Sequence, residues 1–256
     1  MNRQVPLINE NTFQLYHTYC GTEDIETLEQ HLVDIKKDLS LVKNYRCIQE
    51  YKFAFSRIYY RFFYQQIIDY GLELVKQGQE PYFMDIGCCT GTDLRKMYVD
   101  GYPKSYLIGV DMEADYIECG YKLFKDKETC PIKFTVADLF RDNLPEYAEK
   151  ISIVHTGSVF HLFDSENKHI EFIRKIKRLL KKDGLFVGGH VIADKPVKYY
   201  RNSDRIQKYY MGADRFQEIL ENEGFQKIKL KKTRKVEEDD DDQSPLLYWV
   251  SFFCSV

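Results

Sequence analysis

The chain has 256 residues and a mass of 30.5 kDa, enough for one α/β domain with an appendage and a sizeable core. With 37 basic and 40 acidic residues the formal charge is -3, so no global basic field points to nucleic acid. The seven cysteines form no C-x-x-C pair, which disfavours a zinc site and fits reduced thiols. Met1 to Phe13 has no apolar signal-type core and no run is long enough to span a bilayer, so the expectation is a soluble, cytoplasmic protein without a membrane partner.

In chain order, residues 1–78 carry helix-like spacing. Ile25, Leu28, Leu32, Ile35, Leu39 and Val42 recur every three or four positions. A second helical candidate, Ile58 to Val75, is crowded with Tyr59, Tyr60, Phe62, Phe63, Tyr64 and Tyr70. These rings either pack the helices onto the core or also line an apolar substrate pocket, and sequence does not separate the two.

From Glu80 strand and helix signals alternate, the pattern of a parallel sheet with helices on both faces. Tyr82 to Ile86, Ser105 to Val110, Ile132 to Val136, Ile151 to His155 and Leu185 to Val191 read as strands. The helix before the last of these starts at Asp164 or Ser165, carries Ile170, Ile173, Ile176, Leu179 and Leu180, and closes at Lys181, Lys182 and Gly184. A polar connection follows, then a short helix from Asp214 to Gly224. Two final strands, Phe225 to Lys232 and Leu246 to Phe253, flank the six acids 237–242, read as a solvated hairpin loop.

The organising stretch is Tyr82-Phe83-Met84-Asp85-Ile86-Gly87-Cys88-Cys89-Thr90-Gly91-Thr92-Asp93: a strand, a tight turn and a helix start. Gly87 and Gly91 allow torsions closed to other residues, and free amides at the helix N-terminus should face a ligand there. The spacing is neither the dinucleotide G-x-G-x-x-G nor a phosphate loop. Asp85, Asp111 and Asp138 each fall at or just after a strand end, where open α/β sheets bind ligands. Asp111, 24 positions after Gly87, stands where a second-strand acid meets ribose hydroxyls. Met112 is placed for an adenine face, Asp138 for the adenine amino group, and Asp85 for the cationic part of the same ligand.

The order D-x-G-x-C-x-G, then Gly109-Val110-Asp111, then Val136-Ala137-Asp138-Leu139-Phe140, resembles class I S-adenosylmethionine-dependent methyltransferases over residues 80–256, with Cys89 in place of the middle glycine. More narrowly, Asp85 to Lys96 with its double cysteine, Gly120 to Phe124, Val154-His155 and His161 to Asp164 are similar to methyltransferases of fungal polyketide and meroterpenoid biosynthesis. Upstream, Cys47 to Phe53 is similar to a C-I-x-x-[FY]-R-F segment there, with Lys52 in place of arginine.

The resemblance implies a Rossmann-like, seven-stranded, mostly parallel sheet with an antiparallel last strand and an N-terminal helical cap over residues 1–78, the core being 79–256. It implies S-adenosyl-L-methionine held by Asp85, Gly87, Cys88, Gly91, Asp111, Met112, Asp138, Leu139 and His155, with no metal. The acceptor would be a small molecule methylated on a carboxylate or hydroxyl oxygen. A carboxylate needs no base, whereas a hydroxyl does, and His155 and His161, after the fourth strand, are the candidates. Lys52 and His161 are the candidate substrate contacts. Three other readings stay open: a degenerate, scaffold-like methyltransferase fold, a nitrogen- or protein-directed enzyme, and nicotinamide-dependent reduction, against which the missing G-x-G-x-x-G argues.

Overall fold

The computed structural model describes residues 6–43, 45–201, 206–234 and 245–256, so the acidic run 237–242 lies outside the described residues. Helix α1 (Glu10–Cys20) starts where the Asn9 side chain accepts from the Thr12 amide, and α2 (Ile25–Val42) starts on Asp24 in the same way. The spacing read from the sequence holds: α2 buries Leu28, Leu32, Ile35 and Leu39, leaving Ile25 exposed. A short helix, α3 (Arg46–Gln49), leads into single 3-10 turns at Lys52–Ala54 and Ile58–Tyr60 before α4 (Tyr64–Lys76). The expected Ile58 to Val75 helix is therefore broken at Arg61, whose backbone is extended at φ -85 and ψ 142.

Among the described residues the central sheet has seven strands in the order β3-β2-β1-β4-β5-β9-β8. They are β1 (Phe83–Ile86), β2 (Leu107–Asp111), β3 (Lys133–Val136), β4 (Ile151–Gly157), β5 (Leu180–Ala193), β8 (Gln226–Arg234) and β9 (Leu247–Ser255). β1 to β5 are parallel, and β9 runs antiparallel between β5 and β8. Winding reverses between β1 and β4, which puts the switch point, and the cleft outside the carboxyl ends, at Asp85 and His155. Helices α5 (Thr92–Val99), α6 (Ala114–Phe124), α7 (Glu166–Leu179) and α8 (Ala213–Asn222) flank the sheet.

Two core layers form on the sheet and a third outside it. One face carries Met84, Ile108, Val154 and Phe186 against α7 and α8. The other carries Phe83, Leu107, Ile153 and Val187 against Phe63, Tyr64, Ile67 and Ile68 of the α4 region. α1 and α2 pack instead on α6, through Leu15, Leu28, Leu32 and Leu39 against Cys119, Leu123 and Phe124. The first 78 residues thus divide physically: α4 belongs to the sheet's own core, whereas α1 and α2 build a separate layer.

Two features depart from the sequence reading. α7 ends at Leu179, because Leu180 pairs with Ile151 and is buried as the first residue of β5, and Asp183 rather than Gly184 takes the left-handed turn at φ 60. The polar connection is a two-stranded hairpin, β6 (Val197–Arg201) and β7 (Ile206–Tyr210). Its signal was present as Asn202-Ser203-Asp204 between two β-branched and aromatic runs. β7 leans on the turn after β4: the Tyr209 amide donates to the Phe163 carbonyl at 3.3 Å, and the Tyr209 hydroxyl to Glu166 at 2.9 Å.

Candidate active site

The turn after β1 is tied down from below and above. The amides of Gly87 and Cys88 donate to the Val110 carbonyl at 2.8 and 3.1 Å, that of Cys89 to the Asp111 carboxylate at 2.8 Å, and that of Gly91 to the Cys88 carbonyl at 2.8 Å. These four turn amides are spent inside the protein. Gly87, Cys89 and Gly91 all have positive φ, at 77°, 51° and 69°. Cys89 thus keeps the backbone form of the glycine it replaces, at a steric cost of about 1–2 kcal/mol.

Cys89→Gly should relieve that strain while widening the unfolded ensemble, so stability measured by urea unfolding should change by no more than about 1 kcal/mol. A larger loss would mean that the Cys89 side chain's packing on the α1–α2 layer dominates. Burial pushes the thiols of Cys88 and Cys89 above their ordinary range, which favours the neutral form.

Arg95 sits beneath the turn with no exposed surface. Its guanidinium makes a two-pronged ion pair with Asp126 at 2.8 and 2.9 Å, donates to the Thr90 carbonyl at 2.8 Å, and lies 4.3 Å from the Phe124 ring centroid. From the opposite side the 3-10 turn at Lys52–Ala54 is bolted on: the hydroxyls of Thr90 and Thr92 both donate to the Phe53 carbonyl, at 3.1 and 2.6 Å. The Lys52–Ala54 segment is therefore anchored to the turn after β1.

The three strand-end carboxylates lie at the same edge of neighbouring strands. Asp111 ends β2, is buried, and accepts from the amides of Cys89 and Glu113 at 2.8 and 3.0 Å. Burial pushes its carboxyl up, against the pull of those two amides. Two of its roughly four lone-pair positions stay available. Met112 beside it is 57% exposed. Asp138, just beyond β3, is partly exposed and accepts from the Phe140 amide at 3.0 Å, while Leu139 is buried. Asp85 on β1 faces its register partner His155 on β4, with Nδ1 2.7 Å from the carboxylate, and both are buried.

Asp93, from the first turn of α5, completes this polar floor. Its Oδ1 accepts from the Ser56 hydroxyl at 2.9 Å and from the amides of Arg57 and Ile58 at 2.7 and 3.1 Å. Among the described residues Oδ2 has no partner. Ligand-type atoms of Asp85, Asp93 and His155 lie within 4.8 Å of one another; a hydrogen bond joins Asp85 to His155, whereas Asp93 bonds to Ser56, Arg57 and Ile58. Farther along the edge come Arg57, whose guanidinium donates to Ser158 Oγ at 2.8 Å, and Arg61, which donates to Ser251 Oγ at 3.0 Å.

His161 is half-buried on the 3-10 turn Phe160–Leu162 that follows β4. The Lys52 ammonium is ion-paired with Glu50 and lies 5.8 Å from the ring centroid of Trp249, the β9 register partner of Val191. Sequence reasoning missed Asp93, Arg57 and Arg61 as site residues. Arg57 and Arg61 stand four apart in an aromatic stretch, which reads as one helical face, and nothing local says that a break turns both toward the sheet.

Residues 83–184 match a family model described as a methyltransferase domain. The chain is similar to fungal relatives: "O-methyltransferase phiE" of a fungal species is 40% identical over 102 residues, covering 39% of this chain and 34% of that one. "O-methyltransferase atr3" of Stereocaulon alpinum is 27% identical over 181 residues, 67% of this chain and 51% of that one. "Asnovolin E/Chermesin D methyltransferase nvfJ" of Aspergillus novofumigatus is 26% identical over 189 residues, 73% of this chain and 66% of that one. The chain thus spans between a third and two thirds of the length of these relatives.

Solved structures agree on the fold around the methyltransferase domain. Phosphoethanolamine N-methyltransferase 2 of Haemonchus contortus, bound to phosphomonomethylethanolamine and S-adenosylhomocysteine, superposes with a TM-score of 0.56 at 14% identity, covering 86% of this chain and 60% of that one. The 1,6-didemethyltoxoflavin-N1-methyltransferase of Burkholderia thailandensis gives 0.55 at 11% identity, covering 88% and 89%. Among the described residues no helix is long and apolar enough to cross a membrane.

Proposed function

We propose that the chain binds S-adenosyl-L-methionine over the carboxyl ends of β1, β2 and β3 and transfers its methyl group to an oxygen of a small molecule. The observation that carries the reading is the alignment of Asp85, Asp111 and Asp138 along one edge of adjacent strands, beside the switch point. Asp111 has acceptor positions left for two ribose hydroxyls, the exposed Met112 side chain lies next to it for an adenine face, and Asp138 takes the adenine amino group. The open Oδ2 of Asp93, beside buried Asp85, suits the ammonium of the amino-acid part. Gly87, Cys88, Gly91 and Leu139 supply backbone and apolar wall. Relatives bearing O-methyltransferase names support oxygen as the acceptor atom.

The sulfonium supplies a methyl group activated for in-line displacement, so enclosure and alignment do most of what the protein must do. His155, buried and held by Asp85, fixes that carboxylate and the floor of the cleft. A base for a hydroxyl acceptor falls to His161, on the turn past β4; a carboxylate acceptor needs none. Residues 79–256 form the catalytic core in this reading. Residues 1–78 complete it, the stretch from Tyr51 to Arg61 closing the cleft.

Titration calorimetry with S-adenosylhomocysteine tests the proposal: the expected result is saturable heat at micromolar ligand, and none at millimolar ligand sinks it. Binding without turnover on any acceptor would instead favour a scaffold.

A further inference from the structure

The parts of the edge over β4, β5 and β9 are not used by the nucleoside. Gly157 and Gly189 are register partners on β4 and β5, and Ser251 pairs with Gly189 across β9. A side-chain carbon on Gly189 would lie 2.9 Å from the Arg61 guanidinium carbon, and one on Gly157 would lie 3.8 Å from an Arg57 guanidinium nitrogen. The missing side chain at Gly189 therefore makes room for the Arg61 guanidinium, and the Arg57 guanidinium lies at contact distance over Gly157, one strand over, a backbone spacing of roughly 4.8 Å.

Among the described residues neither guanidinium has a carboxylate partner; each donates to one serine hydroxyl. Burial, and next the charge of Arg57, push the Arg61 guanidinium below its ordinary range, and the Asp93 carboxylate pulls the other way. Two like charges drawn partly out of water beside one carboxylate that already accepts from Ser56, Arg57 and Ile58 leave a positive excess, and a carboxylate bridging them would offset that cost. Arginine's planar fork also matches a carboxylate with two parallel hydrogen bonds. Lys52, the cation expected for such a role, is ion-paired with Glu50, a carboxylate it shares with Arg46.

We propose that Arg57 and Arg61 form a subsite for a carboxylate of the methyl acceptor, held over Gly157 and Gly189. This rests on the methyl-transfer reading, since it is the donor's place beside β1 to β3 that leaves β4 and β5 to the acceptor. Both arginines come from the segment before α4, so that segment sets specificity, and an acceptor lacking an anion is discriminated against.

The test uses the full chain with benzoate as probe and benzyl alcohol as its neutral counterpart, each followed by calorimetry with and without S-adenosylhomocysteine. Benzoate should bind and benzyl alcohol should not. Arg61→Gln should weaken benzoate by about tenfold or more, with affinity for S-adenosylhomocysteine unchanged, and Arg57→Gln should weaken benzoate likewise. Arg61→Lys, which keeps the charge and loses the fork, should recover part of the benzoate affinity, and it stands in should the glutamine variant fail to fold. Equal binding of the two probes, or benzoate affinity indifferent to Arg61, overturns the subsite. Arg61→Gln weakening S-adenosylhomocysteine instead would assign the arginines to the donor's own carboxylate and overturn it too. Benzoate bound through Arg61 by a protein that ignores S-adenosylhomocysteine would uphold the subsite and remove the donor reading alone.

Discussion

Arg95→Met should destabilise the protein by about 3–5 kcal/mol in urea unfolding, because it leaves the Asp126 carboxylate buried without its charge partner. The pair is enclosed: Arg95 has no exposed side-chain surface and Asp126 about 5%. Neutral hydrogen bonds remain to Asp126 from the Tyr19 hydroxyl, at 2.7 Å, and from the Cys130 thiol. The double variant Arg95→Met with Asp126→Leu should recover most of the loss, since removing both charges removes the desolvation cost as well. A single variant as stable as the wild type would mean that water reaches the pair.

The pH dependence of that result has a definite sign. Burial by itself would raise the Asp126 carboxyl, but the hydrogen bonds and charge of Arg95, with the Tyr19 hydroxyl, hold it below the ordinary carboxylate range. A depressed folded value stabilises above the unfolded value and is lost as pH falls through the folded one. The unfolded carboxyl is common to both proteins, so the gap between wild type and Arg95→Met should be full above the variant's raised Asp126 titration and shrink as the pH falls from there through the wild type's depressed one. The same substitution frees the carbonyls of Thr90 and Gly91, which Arg95 holds at 2.8 and 3.4 Å, so ligand affinity should fall with stability.

Asp111→Ala should weaken S-adenosylhomocysteine by roughly 100-fold, about 3 kcal/mol for two hydrogen bonds from hydroxyls to a charged acceptor. Part of any loss could come through the turn, because Asp111 also anchors the Cys89 amide. Adenosine and 2′-deoxyadenosine separate the two effects. The wild type should prefer adenosine, and the preference should vanish in the variant if the carboxylate meets the ribose. A preference that survives Asp111→Ala would place the ribose elsewhere. Hydroxyls donating to Asp111 favour its charged form, while burial in the free protein raises its carboxyl. Nucleoside affinity should therefore be full above that titration and decline as the pH falls through it.

Sequence alone was enough for the parallel strands and the helices between them, since strand and helix periods are local: the α2 stripe, the β1 turn and the three strand-end acids needed no knowledge of distant contacts, whereas the β6–β7 hairpin and the break at Arg61 went unread. It also located Asp111, because a strand end can be counted along the chain. What tertiary structure decided is which charges are spent and which are left over. Asp85 and His155 are 70 residues apart and meet because β1 and β4 are neighbours at the switch point. Lys52 matched a motif position, yet Glu50 takes its charge, while Arg57 and Arg61 fit no motif and arrive at the sheet edge through a helix break at Arg61. Pairing of charges depends on desolvation and on neighbours brought from other elements, and neither quantity is written in the local sequence.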